Sequence, residues 1–463
     1  MDYSKKKSDY SDEDRKEKYY SDEKSKEETQ KENHSQMPTF GEVFEDVPKG
    51  GSISAMPELH NGVVYLPSID THVYAINAAS GQMIWKFKTG EPVLSTPLVH
   101  NGQIYFGSNN GYFYCLDMDG KLKWKKQLGG VIVSYPTAVG EKIFIAAGKT
   151  FFCLSEDGKE EWKFVTGGGM IVVPTFVNGL VFIGSYDGHA YALDMGGRLK
   201  WKFTAGRPIS SPIIFSDNKA LFTMAKRSWD KMPEARSPVL YFPSFDNNLY
   251  AVDQEGQILW KFNCGTSIPG GISGGDGVIY CGTISGLLYA IDASTGYKKW
   301  SFKTGGMITG GVALQDDMIY AVSWNQKLYC LSLQGEKIWD FLTGGPIVAD
   351  PVTAKDKIYF GSEDTRLYCL NTKNRTVEWT FQCGSGMPKL LKDKVRELTN
   401  AFVEYDRKVF KVWTPETITK NSPISTVDYG SRLGLDKTFS YGGSGIYSST
   451  SYLDKKKKDK YHG

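Results

Sequence analysis

The stretch Gly184–Phe203, GSYDGHAYALDMGGRLKWKF, decides how the chain is read. It places Asp187, His189 and Asp194 within eight residues, beside a Gly-rich turn. Such a cluster suits a metal or catalytic centre, or it is plain architecture. The rest of the sequence separates the two. GSNNGYFYCLDMDGKLKWKK (Gly107–Lys126), SFDNNLYAVDQEGQILWKF (Ser244–Phe262) and GTISGLLYAIDASTGYKKWSFKTG (Gly282–Gly305) share its form. An aromatic residue is followed by Ala or Cys, an aliphatic, usually Asp or Asn, a Gly turn, and then Trp.

The Trp positions set a period. Trp85, Trp124, Trp162, Trp201, Trp260, Trp300, Trp339 and Trp379 are spaced by 39, 38, 39, 59, 40, 39 and 40. A period near 40 with strand-turn-strand content predicts an all-β, eight-bladed β-propeller. In the second repeat the strands are expected at Ser95–Val99, Gln103–Gly107, Tyr112–Asp117 and Lys121–Lys125. Asn101-Gly102 and Asp119-Gly120 supply the positive φ that tight hairpins need. Alternation puts Tyr112, Tyr114 and Leu116 on one face and Phe113, Cys115 and Asp117 on the other. The slot held by Ala75, Cys115, Cys153, Ala192, Ala251, Ala290, Cys330 and Cys369 is expected to be small because adjacent sheets pack closely there.

This period answers the opening question. His189 holds a variable slot, filled elsewhere by Tyr112, Asn248 and Leu287, and Asp194 matches Asp117, Asp253 and Asp292. An acidic residue repeated around a ring does not belong to one active site. It is expected to accept backbone hydrogen bonds at the turn before the Trp strand.

Composition agrees. Gly makes up 50 of 463 residues and aromatics 13%, as an all-β chain with many turns requires. A net charge of +3 gives no support to a nucleic-acid groove across the whole protein. The N-terminus has no apolar stretch resembling a signal peptide, and no run of 18 apolar residues exists. The expected compartment is the cytoplasm. Seven cysteines without a CxxC pair are expected to be reduced and to act as small apolar residues, with a disulfide or a metal site as alternatives.

The repeated Ala/Cys-x-Asp/Asn, Gly turn and Trp resemble the tryptophan-docking repeat of the pyrroloquinoline-quinone-like propellers. That superfamily includes the quinoprotein alcohol dehydrogenases and the BamB-type scaffold. The resemblance covers residues 39–384 and implies that each Trp stacks against the neighbouring blade. It does not extend to the enzymes' chemistry. Those enzymes use an adjacent Cys-Cys pair and hold calcium with Glu, Asn and Asp; here no two cysteines are adjacent. The innermost strands are expected at LSTP (Leu94–Pro97), VSYP (Val133–Pro136), VVP (Val172–Pro174), ISSP (Ile209–Pro212), IPGG (Ile268–Gly271), ITGG (Ile308–Gly311) and VADP (Val348–Pro351). They offer small and hydroxyl residues and one carboxylate, Asp350, whereas a hard divalent cation needs several oxygen ligands. No catalytic, cofactor-binding or metal residue is therefore assigned, no cofactor is expected, and the chain is read as not an enzyme. The lipoprotein signal and lipidated cysteine of the BamB type are also missing from this sequence. The reading is a non-enzymatic cytoplasmic interaction scaffold with a protein partner. The alternatives are a small-ligand or glycan sensor using the central channel and, disfavoured, a quinoprotein dehydrogenase.

Several segments break the repeat. An extra fourth-strand equivalent at about Glu42–Val47, without Trp, competes with Val377–Phe381 for the closing edge. An insertion at 216–237 sets Lys226, Arg227, Lys231 and Arg236 around Trp229 and reads as a solvated loop or a binding loop. Residues 388–413 carry a heptad-like apolar stripe and predict an amphipathic helix. Residues 1–38 are charged and poor in aliphatics and predict disorder. Residues 414–463 are rich in Ser, Gly and Tyr, and their basic end, Lys455–Lys460, could meet nucleic acid or an acidic partner.

Overall fold

Eight antiparallel sheets follow one another along the chain, at 58–88, 98–127, 137–165, 175–204, 214–263, 272–303, 313–342 and 352–382. The computed structural model describes residues 51–384 except 172, 210, 211, 218, 219 and 223–226, with backbone alone for 220–222. The expected tails, the helix at 388–413 and the extra strand at Glu42–Val47 lie outside the described residues. Each sheet is a four-stranded meander and two sheets gain a fifth strand, so this is the eight-bladed all-β propeller that the repeat predicts.

In the second blade the strands are Leu98–His100, Gln103–Gly107, Tyr112–Asp117 and Leu122–Gln127. The expected first strand therefore sits a few residues too early. Ser95–Pro97 leads into the blade instead, and its hydroxyls bond sideways to neighbouring blades. The middle strands are buried on both faces, whereas the fourth alternates exposed and half-buried positions. That fourth strand is an open edge, and exposed lysines such as Lys86, Lys123, Lys125 and Lys202 protect it from pairing with other chains.

The Ala/Cys slot packs against the next blade, Ala75 with Ile104 and Phe106 and Cys115 with Ile143 and Ile145, and a second constraint adds to that one. In every blade it is the middle of a three-strand row. Tyr105 pairs with Cys115 and Cys115 pairs with Trp124, and likewise Tyr65–Ala75–Trp85. The two rings close over the small residue. Their centroids lie 5.7–6.1 Å apart in all eight blades. A branched side chain in the slot would hold the rings apart.

The indole then reaches the next blade, as the resemblance implies. Trp124 Nε1 donates to Glu156 O at 3.0 Å, Trp162 Nε1 to Met195 O at 2.9 Å, and Trp300 Nε1 to Leu333 O at 2.8 Å. Each indole lies on a turn glycine in the left-handed region. A Cβ at Gly81, Gly120, Gly158, Gly197, Gly256, Gly296 or Gly335 would meet the ring at 2.5–3.0 Å. Only glycine suits both the φ and the contact. The eighth blade departs from this, with Arg375 at φ 62 in the equivalent position. In every blade but the second, which has Lys126 there, Phe two residues beyond the Trp packs edge-on against a Tyr of the following blade, as in Phe87–Tyr114 at 5.7 Å and Phe203–Tyr250 at 5.1 Å. Such pairs add about 0.5–1.5 kcal/mol each beyond area burial.

The same contacts close the ring. Phe381 meets Tyr74 at 5.3 Å, and Trp379 Nε1 donates to Ala78 O at 3.2 Å. The last blade is completed by its own Val377–Gln382. Among the described residues, no strand from the N-terminal side joins it, so first and last blades meet like any other pair.

Candidate functional site

The three residues of the opening cluster serve separate local tasks. Asp187 accepts hydrogen bonds from Gly167 N at 2.7 Å, His189 N at 3.1 Å and the Tyr191 hydroxyl at 2.6 Å. Burial opposes ionisation of Asp187, but the bonds from Tyr191, Gly167, Ser185 and His189 outweigh it and hold its carboxyl below the usual range. Asp194 accepts Gly196 N at 3.0 Å and Arg198 N at 2.9 Å. The Arg198 amide and the Lys200 ammonium keep it ionised below the usual range. His189 Nδ1 meets Thr204 Oγ1 at 3.1 Å. The duties recur: Asp117 and Asp253 bind their own turns as Asp194 does, and Asp70, Asp246 and Asp364 bind Tyr74, Tyr250 and Tyr368 as Asp187 does. Among the described residues, no group of three or more His, Cys, Asp or Glu side chains could hold a metal ion.

At the axis, the hydroxyl residues zip one blade to the next. Ser95 Oγ donates to Ser134 O at 2.7 Å, Thr96 Oγ1 to Met56 O at 2.9 Å and Thr309 Oγ1 to Val348 O at 2.9 Å. Ser273 Oγ accepts Val312 N at 3.0 Å, and Thr175 Oγ1 donates to Ile213 O. Asp350 belongs to the same set, because its Oδ1 accepts Gly311 N at 2.8 Å. Burial pushes its carboxyl up to about 6, against the pull of that amide.

A second axial carboxylate was not singled out from the sequence. Glu363 is buried and receives the hydroxyls of Ser52 and Ser54 across the seam between the last and first blades. Burial pushes it up, opposed by both hydroxyls. Its equivalents in other blades include Ile69, Tyr186, Phe245, Ile284 and Trp324. An acid in a slot that is apolar or aromatic in five other blades is the signal that would have found it.

The insertion is neither a solvated loop nor a free basic patch. It leaves the inner edge of the fifth blade, where Ala220–Phe222 pairs with the first strand, and crosses to the third. There Ser228–Trp229 pairs in parallel with Thr137–Val139. Ala138 N donates to Arg227 O and Gly140 N to Trp229 O, both at 2.8 Å. Since first strands line the axis, the two described strands of this strap, Ala220–Phe222 and Ser228–Trp229, both sit on inner edges. The Arg227 side chain is buried. Its guanidinium donates to Pro97 O at 2.7 Å, to Thr96 O and Pro136 O at 3.3 Å, and to the Glu58 carboxylate. One side chain thus ties three blades to a loop of a fourth. His100 braces it, with Nε2 at 2.7 Å from Gly140 O and Nδ1 at 2.8 Å from Ser228 Oγ, so the tautomer that fits carries its proton on Nε2. Trp229 packs against Phe176 at 6.1 Å. Of the expected basic residues, Lys231 and Arg236 remain exposed, and Lys226 lies outside the described residues. A surface hollow of about 750 Å³, lined by Asn178, Met195, Met232, Glu234 and Arg236 among others, opens between the strap and the fourth blade.

A quinone with calcium does not fit these residues. The axial hydroxyls are engaged between blades, Asp350 is bound to a backbone amide, and no two cysteines are adjacent.

Comparison with known proteins converges on one family. Its model, described as outer membrane protein assembly factor BamB, matches residues 27–132, 119–223, 246–309 and 300–409. The BamB of Burkholderia pseudomallei (strain K96243) is 31% identical over 99 residues, which is 21% of this chain and 26% of that protein. The chain therefore spans about a quarter of that curated relative's length. The crystal structure of BamB from Moraxella catarrhalis superposes with a TM-score of 0.56 at 19% identity, covering 67% of this chain and 92% of that one. Quinohemoprotein alcohol dehydrogenase from Comamonas testosteroni gives 0.57 at 16% identity, over 74% and 76%. At such identities the structures speak for the fold alone. The family match runs through most of the chain and follows its repeats. This chain belongs to the PQQ-like repeat family described as outer membrane protein assembly factor BamB.

Proposed function

We propose that this protein is a non-enzymatic interaction scaffold, working in a reducing, cytoplasmic setting and holding a protein partner. The observation that carries the reading is the state of the axis. Its hydroxyls and Asp350 join blade to blade, and Arg227 of the strap spends its donors on three blades. Groups committed to holding the ring together are not free for substrate. The family's description, an assembly factor, names a role exercised by contact with other proteins and supports a protein partner here. Seven buried cysteines, all free thiols, suit a reducing compartment.

A rigid disc meets partners through loops and faces rather than by folding. The segments that ring construction does not need are the exposed part of the strap, residues 388–413 and the basic end Lys455–Lys460. Co-purification from native extract, with the full chain and with a chain ending at Gly384, tests this. The full chain should retain partners that the shorter, folded ring loses. Recovery of the same proteins with the same salt dependence would move the binding surface onto the blades. Recovery of no protein by either form would remove the scaffold reading.

A further inference from the structure

The repeat pairs the residue that follows each fourth strand with one position on the second strand of the next blade, and Leu128 with Ile145, Ala205 with Phe242 and Cys383 with Leu66 share a core cluster there. Around the ring these positions are Thr89 and Phe106, Leu128 and Ile145, Thr166 and Ile183, Ala205 and Phe242, Cys264 and Cys281, Thr304 and Ala321, Thr343 and Phe360, and Cys383 and Leu66. Only the seam between the fifth and sixth blades puts sulfur on both sides. The two Sγ atoms are 3.8 Å apart, and the residues are 3% and 0% exposed. They share one apolar cluster with Ile268, Ile272 and Ile279. A disulfide requires about 2.05 Å between sulfurs, so side-chain rotation over roughly 2 Å separates the thiol pair from a bond.

We propose that Cys264 and Cys281 form an oxidisable pair, which a peroxide converts into a disulfide that staples the fifth blade to the sixth. The balance is closed by hydrogen peroxide. One thiol sulfur attacks the peroxide; the O–O bond breaks, and sulfenic acid and one water form. The second thiol sulfur attacks the sulfenic sulfur; the S–S bond forms, the S–O bond breaks, and the departing hydroxyl takes the second thiol's proton to leave as water. Two thiols and one peroxide give one disulfide and two waters, and two electrons pass from sulfur to the peroxide oxygens.

The surroundings set when this happens. The neighbouring Cys281 sulfur and burial push the Cys264 thiol well above its usual range, so the thiolate is scarce while the seam is closed. Oxidation therefore proceeds through opening of the seam and then holds it shut. The fifth blade is the one that bears the strap, so the staple fixes the strap's root.

The full chain is treated with hydrogen peroxide, and separately with diamide, then digested without reductant and mapped by mass spectrometry. The expected product is a linked peptide joining Cys264 and Cys281, lighter by about 2 Da than its two thiols, and reversed by dithiothreitol. The melting temperature should rise by about 3 °C on oxidation. Cys264→Thr and Cys281→Ala place in this seam the residues that Thr304 and Ala321 supply in another, so both variants should fold. Each should lose the linked peptide and the thermal rise. The proposal is overturned if neither oxidant links the pair, or if either variant shows the same rise as the parent.

Discussion

The ring and its strap use the same kinds of side chain in opposite ways. In the ring, a polar group has a short task that recurs. Asp117 and Asp194 each bind amides two and four residues on, and axial hydroxyls such as Ser95 and Thr96 bond a carbonyl about one repeat away. In the strap, Arg227 has one task that occurs once. Its partners Thr96 and Glu58 lie 131 and 169 residues away. The ring spreads its stability over many equal contacts, so each seam is bounded by its neighbours. The strap concentrates its docking on a few groups. The strap is expected to detach while the ring stands.

Substitutions separate the two. Trp124→Ala removes an indole that closes over Cys115, rests on Gly158 and donates to Glu156 O. It should cost about 3–5 kcal/mol and lower the urea midpoint of the whole ring. Trp229→Ala should cost less, because it loosens only the strap. Equal shifts in the two melts would mean that strap and ring are one cooperative unit.

Arg227→Met strips the Glu58 carboxylate and three carbonyls of their donor. Breaking a buried pair costs about 3 kcal/mol, but here the cost falls on docking. Trypsin should then cut at exposed Lys231 roughly a hundredfold faster, with the urea midpoint nearly unchanged. An unchanged cleavage rate would show that Arg227 does not hold the strap.

Asp350→Asn sharpens the comparison within the ring. The folded-state pKa of Asp350 is raised, to about 6, so its protonated form is the one that suits the fold. Its contribution is fully present below the ordinary carboxylate range and is lost as pH rises through about 6. The neutral amide should therefore stabilise the ring by up to about 3 kcal/mol at pH 7.5 and by nothing near pH 4. A gain independent of pH would assign the effect to something other than charge.

The smallest expected effect is at the one turn that lacks glycine. Arg375 adopts φ 62 where seven blades have glycine under an indole. Arg375→Gly should raise stability by about 0.5–1 kcal/mol in urea melts, by relieving the left-handed backbone and letting Trp339 settle. A loss would mean that the arginine side chain earns its place through contacts of its own.

What was legible in the sequence follows the same division. Eight copies of a Trp and its turn made the blades, the hairpins and the role of Asp194 readable, because one explanation had to serve every copy. The Ala/Cys slot was readable as small and as packed on the next blade, but not as covered by two rings of its own blade. That second constraint lies in cross-strand register, with Tyr65, Ala75 and Trp85 in one row, and a single strand's alternation does not show which residue faces which. The axial hydroxyls were visible as residues but not as bonds, since their partners sit in the neighbouring blade. In the sequence Arg227 is one of four basic residues around Trp229, and nothing local distinguishes it from Lys231. Its burial depends on a parallel pairing between the fifth blade's loop and the third blade's inner edge.

The central claim is that the axis is structural and does no quinone chemistry. Titration of the full chain with pyrroloquinoline quinone in the presence of calcium, followed by absorbance and calorimetry, tests it most directly. No saturable complex and no alcohol oxidation should be seen at any ratio up to several equivalents. A stoichiometric complex, weakened by Asp350→Asn, would contradict the account and return the axis to catalysis.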